Sequence, residues 1–331
     1  MEDRVTAVVE SVLRGRGWVP HVLAYHGYGA PGWVRVMGRV LLSRPAAREG
    51  AHEARQGAVR GWRSFATAPV AEAVVDVEIA GRVHRVHTDR GGYVDAVVHC
   101  DLEPGRHEIR MSVEGSEAVP APVVVVGPGT EHGLVSDIDD TVMVTSLPRP
   151  LIAAWNTFVL HEQARNVVPG MAPLYREIVV RQPDTPVVYL STGAFNVAPT
   201  LARFLERHGY PEGPMLLTDW GPTNTGWFRS GREHKRAALR RLARELPHVR
   251  WLLVGDDGQH DPEIYAEFAR EHPDKVRGIA IRQLTLGEQV LAHGTPGPLP
   301  DDHGPEESPV PQVRAPDGTA LGQGLRELGL L

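Results

Sequence analysis

The stretch HGLVSDIDDTVMV, His132 to Val144, runs from an apolar segment of buried-strand character into three carboxylates, Asp137, Asp139 and Asp140, within four residues. Two carboxylates about 4 Å apart repel by roughly 4 kcal/mol at an effective dielectric near 20. A chain that crowds three of them needs an offsetting charge, and a bound cation supplies one. The same stretch decides the fold class, because it opens a regular succession: GLVSD, MAPLYREIVV, PVVYLST, VAPTLARFLERHG, PMLLTDW, EHKRAALRRLARELP, RWLLVGD, PEIYAEFAREHP and VRGIAIR. Apolar strand candidates alternating with helical segments predict an α/β domain over 131–290, a mostly parallel sheet with helices on both faces.

Upstream the grammar differs. Short Val-rich runs between about 33 and 126, among them WVRVMGRVLL, AVVDVEIAG, RVHRVHT and HEIRMSVEG, are bounded by Gly, Pro or Asp turn signals. They predict an N-terminal β-rich accessory domain over 1–130, an antiparallel sandwich or partial barrel, interrupted by a helix within the Ala- and Arg-rich 46–63. The break VVVVGPGTEHG marks the boundary. Downstream, 291–331 is dense in Pro, Gly and charge and reads as a disordered tail; its last segment, ALGQGLRELGLL, offers a short docking helix, against which Gly322 and Gly324 argue.

Composition narrows the function. The 331 residues carry a formal charge of −6 and a pI near 6.2, so bulk electrostatics do not favour nucleic acid as a partner. One cysteine, Cys100, excludes an internal disulfide and a cysteine zinc cluster and fits a cytoplasmic setting. Val5, Val8, Val9, Val12 and Leu13 recur at helical spacing and read as a short amphipathic helix packed on its own domain. No apolar run approaches the roughly 20 residues of a membrane span, which leaves peripheral contact as the only membrane role expected. The letters GYGAPG, Gly27 to Gly32, fit a dinucleotide pattern but precede a strand and read as a tight turn. His84 and His87 lie three apart in a strand and so point to opposite faces.

In an open α/β sheet the ligand crevice lies at the carboxyl ends of the strands. Read there in chain order, the candidates are Asp137-Ile138-Asp139-Asp140-Thr141, then Ser191 and Thr192, then Lys235 in GREHKRAAL, then Asp256, Asp257 and Asp261 in WLLVGDDGQHD. Asp140 also suits a turn cap, Thr192 is the alternative to Ser191, and Lys235 shares a basic helix with Arg236, Arg240 and Arg241. A pocket of aspartates without paired histidines suits a hard cation such as Mg²⁺.

This set, in this order, resembles the haloacid dehalogenase-like phosphatase superfamily: D-x-D-x-T, a Ser or Thr, a Lys and an acidic pair. AYHGYG before a β-rich stretch, SDIDDTV and GDDGQHDPEIY narrow the resemblance to the actin-patch-associated phosphatidate phosphatase family, with Asp257 in place of the serine usual in its G-D-S-G-x-x-D motif. That departure leaves open which of Asp256, Asp257 and Asp261 touches metal. The resemblance covers roughly residues 20 to 285 and implies a Rossmannoid catalytic domain with a minimal cap. It implies Mg²⁺ held by an Asp137 oxygen, the Asp139 backbone carbonyl and Asp256. It further implies Asp137 as nucleophile, Asp139 as acid and then base, Ser191 on the phosphoryl oxygens, and Lys235 balancing charge. Thr141 would brace the loop, and Asp261 would orient Lys235 or a metal-bound water. The implied activity is Mg²⁺-dependent hydrolysis of a phosphomonoester through an aspartyl-phosphate, with a lipid phosphate headgroup as substrate. The loop around Trp220, Trp227, Phe228, Arg229 and Arg232 suits a membrane interface and a domain interface equally. A soluble phosphoester substrate and a non-catalytic lipid- or protein-binding scaffold are the rival readings.

Overall fold

The computed structural model describes residues 10–44, 68–144, 166–182, 184–218, 227–258, 260–285, 287–289 and 308–331, with backbone alone at 196 and 227–230. The chain is of mixed α/β type and divides into two compact units, Met1–Gly127 and Pro128–Leu331.

The first unit is built from eight strands: β1 (Val19–Ala30), β2 (Gly32–Ser43), β3 (Ala68–Pro69), β4 (Val74–Ile79), β5 (Arg82–His87), β6 (Tyr93–Cys100), β7 (Gly105–Val113) and β8 (Val119–Val125). Pairing runs β3-β2-β1-β8-β7-β4-β5, with β6 on β2. It is antiparallel throughout except for β1 against β8, where Gly27–Gly29 pair in parallel with Val123–Val125. Buried residues alternate along β4, as Val75, Val77 and Ile79, and every strand from β1 to β8 except the two-residue β3 adds buried side chains to a single apolar core. Gly27 and Gly29 are where β1 and β2 come closest: a Cβ at either would lie 2.4 and 2.3 Å from the carbonyls of Arg35 and Trp33. GYGAPG is thus a strand end and its turn, with Gly32 at φ 96°. The expected N-terminal helix is described only over 10–15, and the segment 46–63 lies outside the described residues.

The second unit carries β9 (His132–Asp137), β10 (Val187–Ala194), β11 (Met215–Thr218), β12 (Arg250–Asp256), β13 (Val276–Arg282) and β14 (Gln312–Ala315). Its helices are α1 (Met171–Arg181), α2 (Ala198–Arg207), α3 (Trp227–Glu245), α4 (Asp261–Glu271) and α5 (Gly318–Glu327). The sheet order is β11-β10-β9-β12-β13-β14, and all five pairings are parallel. The continuous apolar text of β9 and β12 follows from this position, because central parallel strands are covered on both faces. Successive strands leave β9 in one direction through β10 and β11, and in the other from β12 to β14. The order therefore reverses between β9 and β12, and such a switch point opens a crevice at the carboxyl ends of the strands.

One expectation is overturned. The C-terminal segment read as disordered is folded over 308–331: Gln312–Ala315 extend the sheet in parallel register with Ile279–Arg282, and α5 is capped by the Asp317 carboxylate, which accepts from the Thr319 and Ala320 amides. Composition misleads here because the Pro/Gly-rich 291–307, which lies outside the described residues, precedes a short but sufficient apolar set. Val310, Ala315, Leu321, Leu325 and Leu330 are all buried. Glycines at its contacts permit the helix to dock. A Cβ on Gly318 would lie 2.3 Å from the Gly170 backbone, and one on Gly324 would lie 2.6 Å from Val313.

Candidate active site

Asp137 ends β9 and Asp256 ends β12, the two neighbouring strands that flank the switch point. Beyond β12 a short turn leads to Asp261, the first residue of α4, with Pro262 following it in the first turn. Pro suits that place because its missing N–H has no helical partner there. Gly255 has to be glycine, since a Cβ would sit 2.5 Å from Asp261 Oδ2. Lys235 comes from α3 and is 2% exposed; Asp137, Asp256 and Asp261 are at 0–1%.

The Lys235 ammonium donates to Asp137 Oδ1 at 2.7 Å and to Asp261 Oδ1 at 2.5 Å. Lys235 therefore faces the acidic cluster, whereas Arg236 and Arg240 of the same helix pair with Glu267 and Glu271 on α4. Burial pushes the Asp137 carboxyl well above the carboxylate range; Lys235 pulls it down, while Asp261 and Asp139 push it up. Burial also raises Asp256, followed by Asp261, Asp137 and Asp140. For Lys235, burial opposes the charge, but Asp137 and Asp261 outweigh it and hold the ammonium above the ordinary lysine range.

The remaining candidates fall around this cluster. The Ser191 hydroxyl, fully buried, donates to Asp139 Oδ2 at 2.9 Å and accepts from the Gly193 amide at 2.9 Å. Thr192 is half-buried, and it is its carbonyl that accepts from Thr218 Oγ1. The Thr141 hydroxyl approaches Asp256 Oδ2 at 3.4 Å, while Asp256 Oδ1 accepts from the Gly258 amide. Asp140 occupies the left-handed region at φ 56°, its amide donating to the Met143 carbonyl, as a turn residue does. Asp257 turns aside: its Oδ1 accepts from the Leu284 amide, and it is outside the carboxylate cluster.

Sequence reasoning does not reach three side chains that support the loop. Arg282, ending β13 and 4% exposed, donates to the Asp140 carbonyl at 2.7 Å, to Glu288 Oε1 at 2.6 Å and to the Pro316 carbonyl at 3.3 Å. Ser136 donates to the Asp137 carbonyl at 2.6 Å, and its hydroxyl lies 2.6 Å from that of buried Tyr175. Backbone acceptors leave no pattern in the side-chain text, so only the strand-end position of Arg282 could have drawn attention to it.

A divalent cation fits the residues present. Asp137, Asp256 and Asp261 each present a carboxylate oxygen, and these three atoms lie within 4.8 Å of one another. Asp137 Oδ2 and Asp261 Oδ2 are buried without a hydrogen-bond partner. Three carboxylates share one ammonium among side chains that are 0–2% exposed, so their ionisation together calls for further positive charge, and an all-oxygen donor set suits a hard ion.

The strand-end residues thus follow the order of the haloacid dehalogenase-like phosphatases. Residues 132–283 match the family model described as phosphatidate phosphatase APP1, catalytic domain. Two yeast relatives align with this chain: phosphatidate phosphatase APP1 of Saccharomyces cerevisiae, 26% identical over 151 residues, and the uncharacterized protein C29B5.04c of Schizosaccharomyces pombe, 27% identical over 152. The alignments take in 45% and 46% of this chain but only 25% of each relative, so the chain spans about a quarter of their length. Among solved structures, the HAD domain of effector protein Lem4 from Legionella pneumophila is 14% identical with a TM-score of 0.31, covering 46% of this chain and 86% of that one; the likeness is too slight to bear on the fold.

Proposed function

We propose that the second unit is a Rossmannoid, minimally capped phosphomonoesterase that works through an aspartyl-phosphate on Asp137 and acts on phosphatidate or a related lipid phosphate. The observation that carries the reading is the convergence of Asp137, Asp256, Asp261 and Lys235 at one strand-end crevice, with carboxylate oxygens buried and unsatisfied. Asp137 and Asp256, with the Asp139 backbone carbonyl, would hold Mg²⁺, and Asp261 is added as a further ligand or as the group that fixes Lys235. When bound, the ion supplies the positive charge that lets an anionic carboxylate approach an anionic phosphoryl group.

The chain's own residues do the rest. Asp137 attacks phosphorus in line with the leaving alkoxide and becomes an acyl phosphate. Asp139, two residues further along the loop, protonates the leaving oxygen and then takes a proton from the water that releases phosphate. Ser191 holds Asp139 in place now, and exchanges that hydrogen bond for one to a phosphoryl oxygen when substrate enters. Lys235, kept cationic by its two aspartates, offsets charge on Asp137 and on the phosphoryl group.

A lipid substrate follows from the matched family rather than from the site alone, and the first unit is proposed as an accessory module that engages lipid or protein. Among the described residues no helix is long and apolar enough to cross a membrane; the contact with a bilayer proposed here is peripheral, from the cytoplasm. The test is turnover of phosphatidate in mixed micelles with Mg²⁺, run beside soluble phosphomonoesters. Faster turnover of phosphatidate supports the full reading, and activity on soluble esters alone moves the substrate class.

A further inference from the structure

Helices α3 and α4 are joined by a ladder of ion pairs spaced four residues apart: Arg232–Glu263, Arg236–Glu267 and Arg240–Glu271. The lower two rungs are close and multiply bonded. Arg236 donates to Glu267 at 2.9 and 2.6 Å, and Arg240 donates to Glu271 at 3.0 and 2.8 Å. The top rung is different. Arg232 stands 3.8 Å from Glu263, and its Nη2 donates instead to His260 Nε2 at 2.7 Å. The guanidinium is the donor in that bond, so the contact orients Arg232 without cancelling its charge.

Its place in the fold gives that charge a use. In a parallel sheet the helices run back from the carboxyl ends of the strands, so first turns of α3 and α4 face the crevice. Arg232 precedes Lys235 by three residues, about 4.5 Å nearer the open side on the same flank of the helix, and His260 immediately precedes Asp261. Gly231 approaches the Thr192 methyl at a would-be Cβ distance of 3.1 Å, which brings this turn of α3 against the end of β10. The buried Lys235–Asp261 contact is therefore surmounted by a half-exposed Arg232–His260 contact, with side chains 41% and 35% exposed.

We infer that Arg232, aimed by His260, is the substrate-binding residue at the mouth of the crevice, meeting the anionic oxygens of an incoming phosphomonoester. This rests on the phosphatase reading above. A guanidinium presents a planar fork matched to phosphate oxygens, and a charge-assisted bond of that kind changes binding by about tenfold or more when lost.

The test compares wild type with Arg232→Ala, Arg232→Lys and, as the ladder control, Arg236→Ala, using p-nitrophenyl phosphate and phosphatidate in neutral mixed micelles. Arg232→Ala is expected to raise KM for both substrates about tenfold while kcat changes less than about threefold, with partial rescue in Arg232→Lys. Arg236→Ala is expected to lower Tm and leave KM unchanged. An unchanged KM in Arg232→Ala overturns the assignment while leaving the phosphatase reading intact, and so does a rise confined to the micelle arm, which would make Arg232 a surface contact. Should wild type hydrolyse neither substrate, the phosphatase reading falls, and thermal shift by inorganic phosphate decides separately. A shift lost in Arg232→Ala and kept in Arg236→Ala retains the anion contact; a shift equal in all proteins, or absent from wild type, removes it.

Discussion

At the residue scale the dominant fact is electrostatic. Asp137 and Asp256 are held above the carboxylate value of 3.8 because burial withdraws water from them and neighbouring acids repel. A group whose folded pKa exceeds its unfolded one binds a proton that unfolding releases. Between the two values, stability is then lost as pH rises. A divalent ion among the three aspartates reverses this, since it binds the ionised form. The Tm difference between Mg²⁺ and chelator is therefore expected to be small near pH 4 and to widen as pH rises. At a hundredfold excess over Kd it corresponds to about 2.7 kcal/mol. Differential scanning fluorimetry across pH checks this, and a difference independent of pH contradicts it. Asp137, Asp139 and Asp256 can be read from the sequence because strand ends in this fold class are where chemistry sits. Asp261 and Asp257 cannot be separated that way: spacing does not say which carboxylate turns inward, and the Leu284 amide that draws Asp257 away lies 27 residues on.

At the scale of elements, glycine decides how closely the C-terminal helix can dock. Gly170, at φ 76°, and Gly318 meet backbone to backbone where α1 and α5 begin, and side chains there would have to occupy space already filled. Gly318→Ala is expected to destabilise the second unit by about 1–3 kcal/mol through overpacking. Gly129→Ala, with nothing within 4 Å of its Cβ, is expected to stay within about 0.5 kcal/mol of wild type. Urea denaturation of both proteins is the measurement. β1, β3 and β14 escaped the sequence reading, and the other strands were readable because alternation marks half-buried strands and continuous apolar text marks central ones. The helix α5 was not, because propensity penalises Gly322 and Gly324 while close tertiary approach favours them.

At the scale of the molecule, the sheet that carries the site is completed by residues beyond the family match, which ends at 283. β14, α5 and the residues that follow it bury Leu321, Leu325 and Leu330, and the Pro316 carbonyl accepts from Arg282 Nε, whose Nη1 donates to the Asp140 carbonyl in the loop after β9. Burial of three leucines is worth about 5–9 kcal/mol, a large share of a domain's stability of about 5–15 kcal/mol. Deleting 308–331 is expected to leave the first unit folded and the second unable to fold cooperatively. Hydrogen exchange resolves the two outcomes; protection of β9 and β12 persisting in the truncated chain would contradict the expectation.

The central claim is that Asp137 carries the phosphoryl group. Acid-quenching the reaction with Mg²⁺ and phosphatidate and mapping phosphate by mass spectrometry tests it directly. Phosphate is expected on the peptide containing Asp137, with neither label nor turnover in Asp137→Asn. Turnover by Asp137→Asn at the wild-type rate would contradict it.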